Sequence, residues 1–486
     1  MAGILHWDLG DGSIIDSNSF SHEYTIIGDK IVTIYKGTAS DAGSITQIYM
    51  NSADLVGIFD ISSLSNLNHF EIGYNSKLTK ILLPDSSQLF DAIHADHCDL
   101  TETLDISGLI GLGGDFRANN NLNLTKILNP VSSQIFTRYN ISNCNLTGTL
   151  DASGLTGLGG EFGVNNNPNL TQILNPTSSQ LFIAYKAENC NLIGTLDVSG
   201  LTGLGGDFEV YNNSNLTQIL NPDSSQAFIA YYAYDCSLNG TLDVSGLTGL
   251  GGDFEVYNNS NLTQILNPNS SQIFTDYYAG SCNLIGALDI SGLTGLGGYF
   301  SIGNNSNLTK VINPISHQVF KGYDAVNCNL TGALDISGLT GLGGEFIVYN
   351  NSNLTQILNP DSSQAFIAYY AYDCDLTGTL DVSSLTGLGI NFMVYNNPKL
   401  QNIILPLLTR PFINFKANDC SLISLSIDHI FHQLDIWYST YPPVIDLAVY
   451  VNGVNSDKPG IDGSTHIAHL KSIFSTAGKI FDCSTN

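Results

Sequence analysis

The sequence predicts a β-rich, nominally α/β solenoid: stacked short coils with one long parallel sheet on a concave face, short 3₁₀ or helical turns on the convex face, and two caps. Three observations lead there. Eight of the nine cysteines fall at 98, 144, 190, 236, 282, 328, 374 and 420, each 46 residues after the last. The proline of an ILNP or ILLP stretch keeps the same beat at 84, 130, 176, 222, 268, 314, 360 and 406. The period also halves, since Asn121 stands 23 residues from both Cys98 and Cys144. Fixed periods of this size mark solenoids or propellers, in which each repeat buries its apolar edge only against its neighbours.

Each coil needs one strand and a return path. In F-E-V-Y-N and Y-Y-A-Y-D the alternation predicts a short strand with Phe208, Val210 and Ala233 inward and Glu209, Tyr211, Tyr232 and Tyr234 outward. Asn221 before Pro222 reads as the cap and first position of a single helical turn through D-S-S-Q-A-F. The other crossing, S-G-L-T-G-L-G-G, is too glycine-rich for a stable helix and predicts a tight turn or 3₁₀ piece.

Tyr231, Ala233, Cys236 and Leu238 resemble the L-x-L-x-x-(N/C)-x-L signature of leucine-rich repeats, and Phe208, Val210, Asn213 and Leu216 nearly do. The resemblance makes each 46-residue period a double repeat, with Cys at one turn and Asn at the other. Equivalent cysteines two coils apart would sit ~10 Å apart, beyond the ~7 Å a disulfide spans, so they read as inward, apolar fillers. Cys483 has no period mate.

Three regions are expected: an N-terminal β-hairpin cap over 1–45, the solenoid over 46–425, and a C-terminal cap over 426–486. In the first, Trp7-Asp8-Leu9-Gly10-Asp11-Gly12, His22, Tyr24, Gly28 and Lys30–Tyr35 resemble the W-D-x-G-D-G core of polycystic-kidney-disease (PKD) type domains. They also resemble the module that opens BspA-like leucine-rich surface proteins. Asp8 and Asp11 are first of all turn residues, with calcium binding a minor alternative. After 425 the pattern breaks, and one or two strands followed by an amphipathic helix from His466 to Phe474 are expected to seal the apolar end. The loop before that helix also resembles the closing segment of BspA-like proteins.

Sixteen basic against 43 acidic side chains give a net charge of -27. That repels nucleic acid and anionic lipid, and keeps a long exposed surface soluble. No stretch approaches a membrane-spanning length, and M-A-G-I-L-H-W-D-L-G-D-G carries neither a basic start nor a sustained apolar run. Work inside a cell, a trimmed signal or export without such a peptide, as by virion assembly and lysis, are the readings left open. The N-x-S/T triplets recur with the frame, and glycans on every coil would crowd the stack.

The aspartates at 105, 151, 197, 243, 289, 335 and 381 recur in every period, so they read as turn residues that bind amides and not as catalytic groups. What varies is the outward face. Its tyrosines gather twice: Tyr211, Tyr232, Tyr234, Tyr257 and Tyr278, bordered by Glu209 and Glu255, then Tyr349, Tyr370, Tyr372 and Tyr395. Such a rigid amphipathic surface suits protein loops or sugar rings, although repeat copying alone could have doubled it. His94, Asp96 and His97 form the one metal-like group on this face, and His429/His432 and His466/His469 are weaker for want of a fixed acidic partner. No cofactor, no metal and no catalytic grouping are expected.

These residues predict a non-enzymatic recognition or adhesion protein. It would grip a cell-surface protein or glycan with its sheet, as the resemblance to BspA-like and internalin-like adhesins also implies. A phage or secreted-appendage component is one such setting, and the expected location is extracellular, at a cell surface or on a virion. The alternative is a structural spike, fibre or decoration protein without a dedicated ligand.

Overall fold

In the computed structural model the described residues are 46–485, except 65, 85–88, 110, 132–135, 177–181, 202, 204, 223–227, 248, 250, 269–273, 316–319, 362–365, 408–411, 442, 444–446 and 453–455. Of the first 45, only the strands His6–Asp8, Ile14–Asp16 and Thr33–Tyr35 are described. These pair antiparallel around His6–Asp8. Asp8 ends the first of these strands, whereas Asp11 and most of the PKD-like motif lie outside the described residues.

The chain divides into two compact units, Met1–Pro222 and Asp223–Asn486. Each contains a leucine-rich-repeat type solenoid with its own run of parallel face strands. In the first unit the run extends from Gln47–Tyr49 to Asp207–Glu209, every strand pairing with the one a coil later. In the second it extends from Ala230–Tyr232 through Phe412–Lys416 to Leu447–Tyr450 and Phe481–Ser484.

The inward residues are as the alternation predicts: Phe208, Val210, Tyr231 and Ala233 are fully buried. Their rings form a continuous spine within each unit, for example Tyr139 on Phe162 at 5.6 Å and Phe162 on Tyr185 at 5.1 Å. In the second unit Tyr231 meets Phe254 at 5.5 Å and Phe254 meets Tyr277 at 5.0 Å. Burying a tyrosine requires a partner for its hydroxyl. That partner is the asparagine of ILNP. Tyr139 Oη donates to Asn129 Oδ1 at 2.8 Å while Asn129 Nδ2 donates to the Asp151 carbonyl at 2.8 Å; Tyr185 and Asn175 repeat the arrangement. These asparagines therefore serve the core. The turns they were expected to cap fall outside the described residues.

Turns repeat with the same economy. Asn121 is buried; its Oδ1 accepts the Leu100 N–H at 3.0 Å and its Nδ2 donates to the Ala95 and Ala118 carbonyls at 2.9 and 2.8 Å. At the alternate turn Cys144 Sγ donates to the Ala118 carbonyl at 3.3 Å, so the cysteines are buried donors as well as fillers. Burial pushes the thiols up to about 11 for Cys98 and about 12 for Cys144, which keeps them unreactive. Just before each Asn or Cys the backbone turns left-handed every 23 residues, as at Asn120 (φ 59°), Asn143 (φ 54°) and Asn166 (φ 56°). Asparagine tolerates that region best after glycine, hence the recurring Asn-Asn.

The aspartate row does what its periodicity predicts. Asp197 Oδ1 accepts the Ser199 N–H at 3.0 Å and its hydroxyl at 2.6 Å, and Asp243 does the same for Ser245. The S-G-L-T-G-L-G-G crossing is a pair of turns, with Leu155 N–H bonded to the Ala152 carbonyl. At Gly160 the coil leaves no room for a side chain: a Cβ there would lie 1.5 Å from the Thr137 carbonyl oxygen of the previous coil.

Two features were not anticipated. Away from the face, stretches such as Thr147–Asp151 and Asn169–Leu174 form separate two-stranded parallel ribbons. At the C-terminal end a 17-residue helix α1 (Ser424–Thr440) precedes the Leu447–Tyr450 strand. It buries Ile427, Ile430, Phe431, Leu434 and Tyr438 at helical spacing. The predicted amphipathic helix follows as α2 (Ile461–Thr476), and a last strand, Phe481–Ser484, comes after it.

Candidate functional site

The face strands place outward side chains in register. In the first unit Glu71, His94, Arg117, Asn140, Gly163, Lys186 and Glu209 pair in succession. In the second the row is Tyr232, Glu255, Tyr278, Ser301, Asp324, Ile347, Tyr370, Met393 and Lys416. A further outward row two residues earlier, which the sequence reasoning missed, holds Asp115, Arg138 and Glu161 in one unit and Asp253, Asp276, Tyr299 and Glu345 in the other. The two-residue alternation of the strand was the signal that could have found it.

The first unit's face is laced with ion pairs. Arg117 and Arg138 converge on Asp115, Arg138 Nε reaches Glu161 at 3.3 Å, and Lys186 Nζ reaches Glu209 at 3.4 Å. Burial would raise the Asp115 carboxyl, but His94, Arg117 and Arg138 outweigh it and hold the group down at about 2. Its contribution to stability is thus present above the ordinary carboxyl range and lost only as pH falls through about 2. Glu188 is different. It is 6% exposed, its Oε2 has no hydrogen-bond partner, and burial, reinforced by Glu209, pushes it up to about 7. Of the residues singled out from the sequence, Glu209 and Tyr211 belong to this unit, both half-buried.

The second unit holds the other nine: Tyr232, Tyr234, Glu255, Tyr257, Tyr278, Tyr349, Tyr370, Tyr372 and Tyr395, all half-buried. Tyr234 stacks on Tyr257 with centroids 4.6 Å apart and planes 6° apart, and Tyr232 packs edge-on to Tyr234. Further along, Tyr349, Tyr372 and Tyr395 form a three-ring stack at 4.3 and 4.5 Å. Tyr370 stands beside it, its hydroxyl accepting from Asn391 Nδ2 at 2.9 Å. Gly280 and Gly303 separate the two groups. Burial, with the carboxylate of Glu255, pushes Tyr257 up to about 12, and burial with Asp276 does the same for Tyr278. Both hydroxyls stay protonated donors at neutral pH. Glu255 itself is raised by burial and then by Asp253 and Asp276.

The histidine groups sort differently. His97 occupies a left-handed turn (φ 53°), stacks on Tyr74 at 4.4 Å, and contacts Asp96 at 2.8 Å and Asn120 at 3.1 Å through its two nitrogens. His94 sits apart on the face between Glu71 and Asp115. In the C-terminal region the reading that no acidic partner is fixed near His466 and His469 is corrected. Asp435, buried on α1, receives His466 Nδ1 at 2.6 Å and His469 Nδ1 at 2.7 Å. Sequence separation of more than 30 residues hid that contact.

Among the described residues no helix is long and apolar enough to cross a membrane. No protein-family profile matches the chain, and no curated protein does. Among solved structures it is similar to an internalin from Listeria monocytogenes str. 4b F2365, at 14% identity over 94% of this chain and 90% of that one, with a TM-score of 0.22. So loose a likeness assigns no ligand, and the reading of function rests on the face itself.

Proposed function

We propose that the chain is a non-enzymatic recognition protein that binds a protein partner at a cell surface through the tyrosine-rich sheet face of residues 223–486. The observation that carries this is the stack of Tyr349, Tyr372 and Tyr395. Parallel rings stacked this closely cover one another's faces and leave their edges outward, while hydroxyls hydrogen-bond along the stack. Sugars bind aromatic residues through open ring faces, whereas protein loops use edges and hydroxyls, so the geometry favours a protein over a glycan. The carboxylates of Asp253, Glu255 and Asp276 beside Tyr257 and Tyr278 favour a partner with lysine or arginine at the contact. A setting outside the cell, or on a virion, agrees with such a face.

The test is binding of fluorescently labelled chain to a panel of bacterial and animal cells by flow cytometry. Tyr349→Ala, Tyr372→Ala and Tyr395→Ala together should lower the affinity for the cell type that binds by tenfold or more, since a handful of aromatic anchors dominates most interfaces. Unchanged binding, or release by free monosaccharides alone, rejects the reading. Binding to no cell type in the panel favours a structural spike or decoration.

A further inference from the structure

Helices α1 and α2 pack together in the C-terminal region, and four of the ten histidines lie on them: His429 and His432 on α1, His466 and His469 on α2. Asp435 orders this group. Its two oxygens accept one Nδ1–H each, from His466 at 2.6 Å and His469 at 2.7 Å, and Ser439 Oγ donates to it at 3.4 Å. A carboxylate can only accept, so the His466 proton is fixed on Nδ1 and the Nε2 lone pair is left facing outward. It faces His432 Nδ1, 3.1 Å away.

We propose that His432 Nδ1 and His466 Nε2 together bind one divalent transition-metal ion, with Asp435 as the carboxylate that orients His466. Ring nitrogens ligate zinc at ~2.0–2.1 Å, so two of them on one ion stand ~2.8–3.4 Å apart between right-angled and tetrahedral geometry. The observed separation lies in that range. Imidazole nitrogens select zinc, nickel, copper or cobalt over magnesium and calcium. A histidine ligand whose other nitrogen donates to a carboxylate is the usual support for such an ion. His432 is exposed, so its ring can turn to aim the lone pair at an arriving ion. One helical turn earlier, His429 Nε2 is buried without a hydrogen-bond partner. Among the described residues no three side chains already converge as a complete ligand set, so an ion bound by this pair would need water to complete its coordination. The site departs from the sequence expectation of no metal, because its ligands come from segments more than 30 residues apart.

The experiment is isothermal titration of the full chain, stripped with EDTA and dialysed, with ZnCl₂, NiCl₂ and, as a control, MgCl₂, alongside thermal melts. The expected result is one zinc or nickel ion per chain, no magnesium binding and a higher melting temperature with zinc. His432→Ala and His466→Ala should each weaken binding by more than tenfold, and Asp435→Asn by roughly ten- to a hundredfold. Circular dichroism keeps folding separate; His432, being exposed, is the variant least able to perturb it. Absence of saturable binding to the native chain, or binding unchanged in both histidine variants, overturns the proposal and leaves the pair an interhelical hydrogen bond.

Discussion

Asp115 in the first unit and Asp253 in the second occupy the same position three double repeats apart, yet their surroundings are opposite. Around Asp115 stand Arg117 and Arg138, which neutralise it. Around Asp253 the equivalent positions hold Glu255 and Asp276, and Asp253 Oδ2 accepts the Tyr232 hydroxyl at 3.2 Å. The coil beneath is unchanged: Asn121 and Asn259 make the same three side-chain bonds to within 0.1 Å. The scaffold tolerates both because face side chains contribute little to burial, so selection is free to finish one face as paired charge and the other as tyrosine with unmatched carboxylates. Paired surface charge is worth little energetically. Unmatched charge beside aromatic rings is instead available to a partner.

The comparison breaks first if the scaffold is not the same. Asn121→Ala and Asn259→Ala each orphan buried backbone groups and should each cost about 3 kcal/mol by urea denaturation. A gap between them of more than ~1 kcal/mol would show that the coils differ beneath the face. Next in size is Glu188. Its folded value is raised to about 7, so stability is full below the unfolded value of 4.5, falls as pH rises between the two, and stays low above 7. Glu188→Gln should remove that decline and add about 2 kcal/mol at pH 8, read from denaturation midpoints across pH; an unaltered slope would mean the carboxyl is solvated. The smallest effect falls on the face itself. Glu255→Arg with Asp276→Arg gives the second unit the arrangement of the first. It should lower partner binding about tenfold while moving the denaturation midpoint by less than ~1 kcal/mol, and retained binding would mean the carboxylates are not part of the contact.

Legibility followed the range of the interaction. The inward set of Phe208, Val210, Tyr231 and Ala233, the turn aspartates and the stacked coils follow from alternation and a fixed period, which are local properties. Helix α1 was missed because Leu434, Ile436 and Trp437 suggest a strand, while the helical set Ile427, Ile430, Phe431, Leu434 and Tyr438 is spread over three turns. The asparagine of ILNP reads locally as the start of a turn, because Asn-Pro is a good one, and its bond to the buried Tyr139 hydroxyl, ten residues on, left no local signal. Of the proposed site, the tyrosine positions were legible and their parallel stacking was not.

The sequence alone determined the coil: its length, its inward residues, the residues its turns demand and the rows that face outward, since each is set within 46 residues and then copied. Only the tertiary structure decided which outward groups neutralise one another, which rings lie flat on their neighbours and which histidines meet across α1 and α2. Those contacts depend on side-chain direction and on segments brought together by stacking, and periodicity carries no record of either.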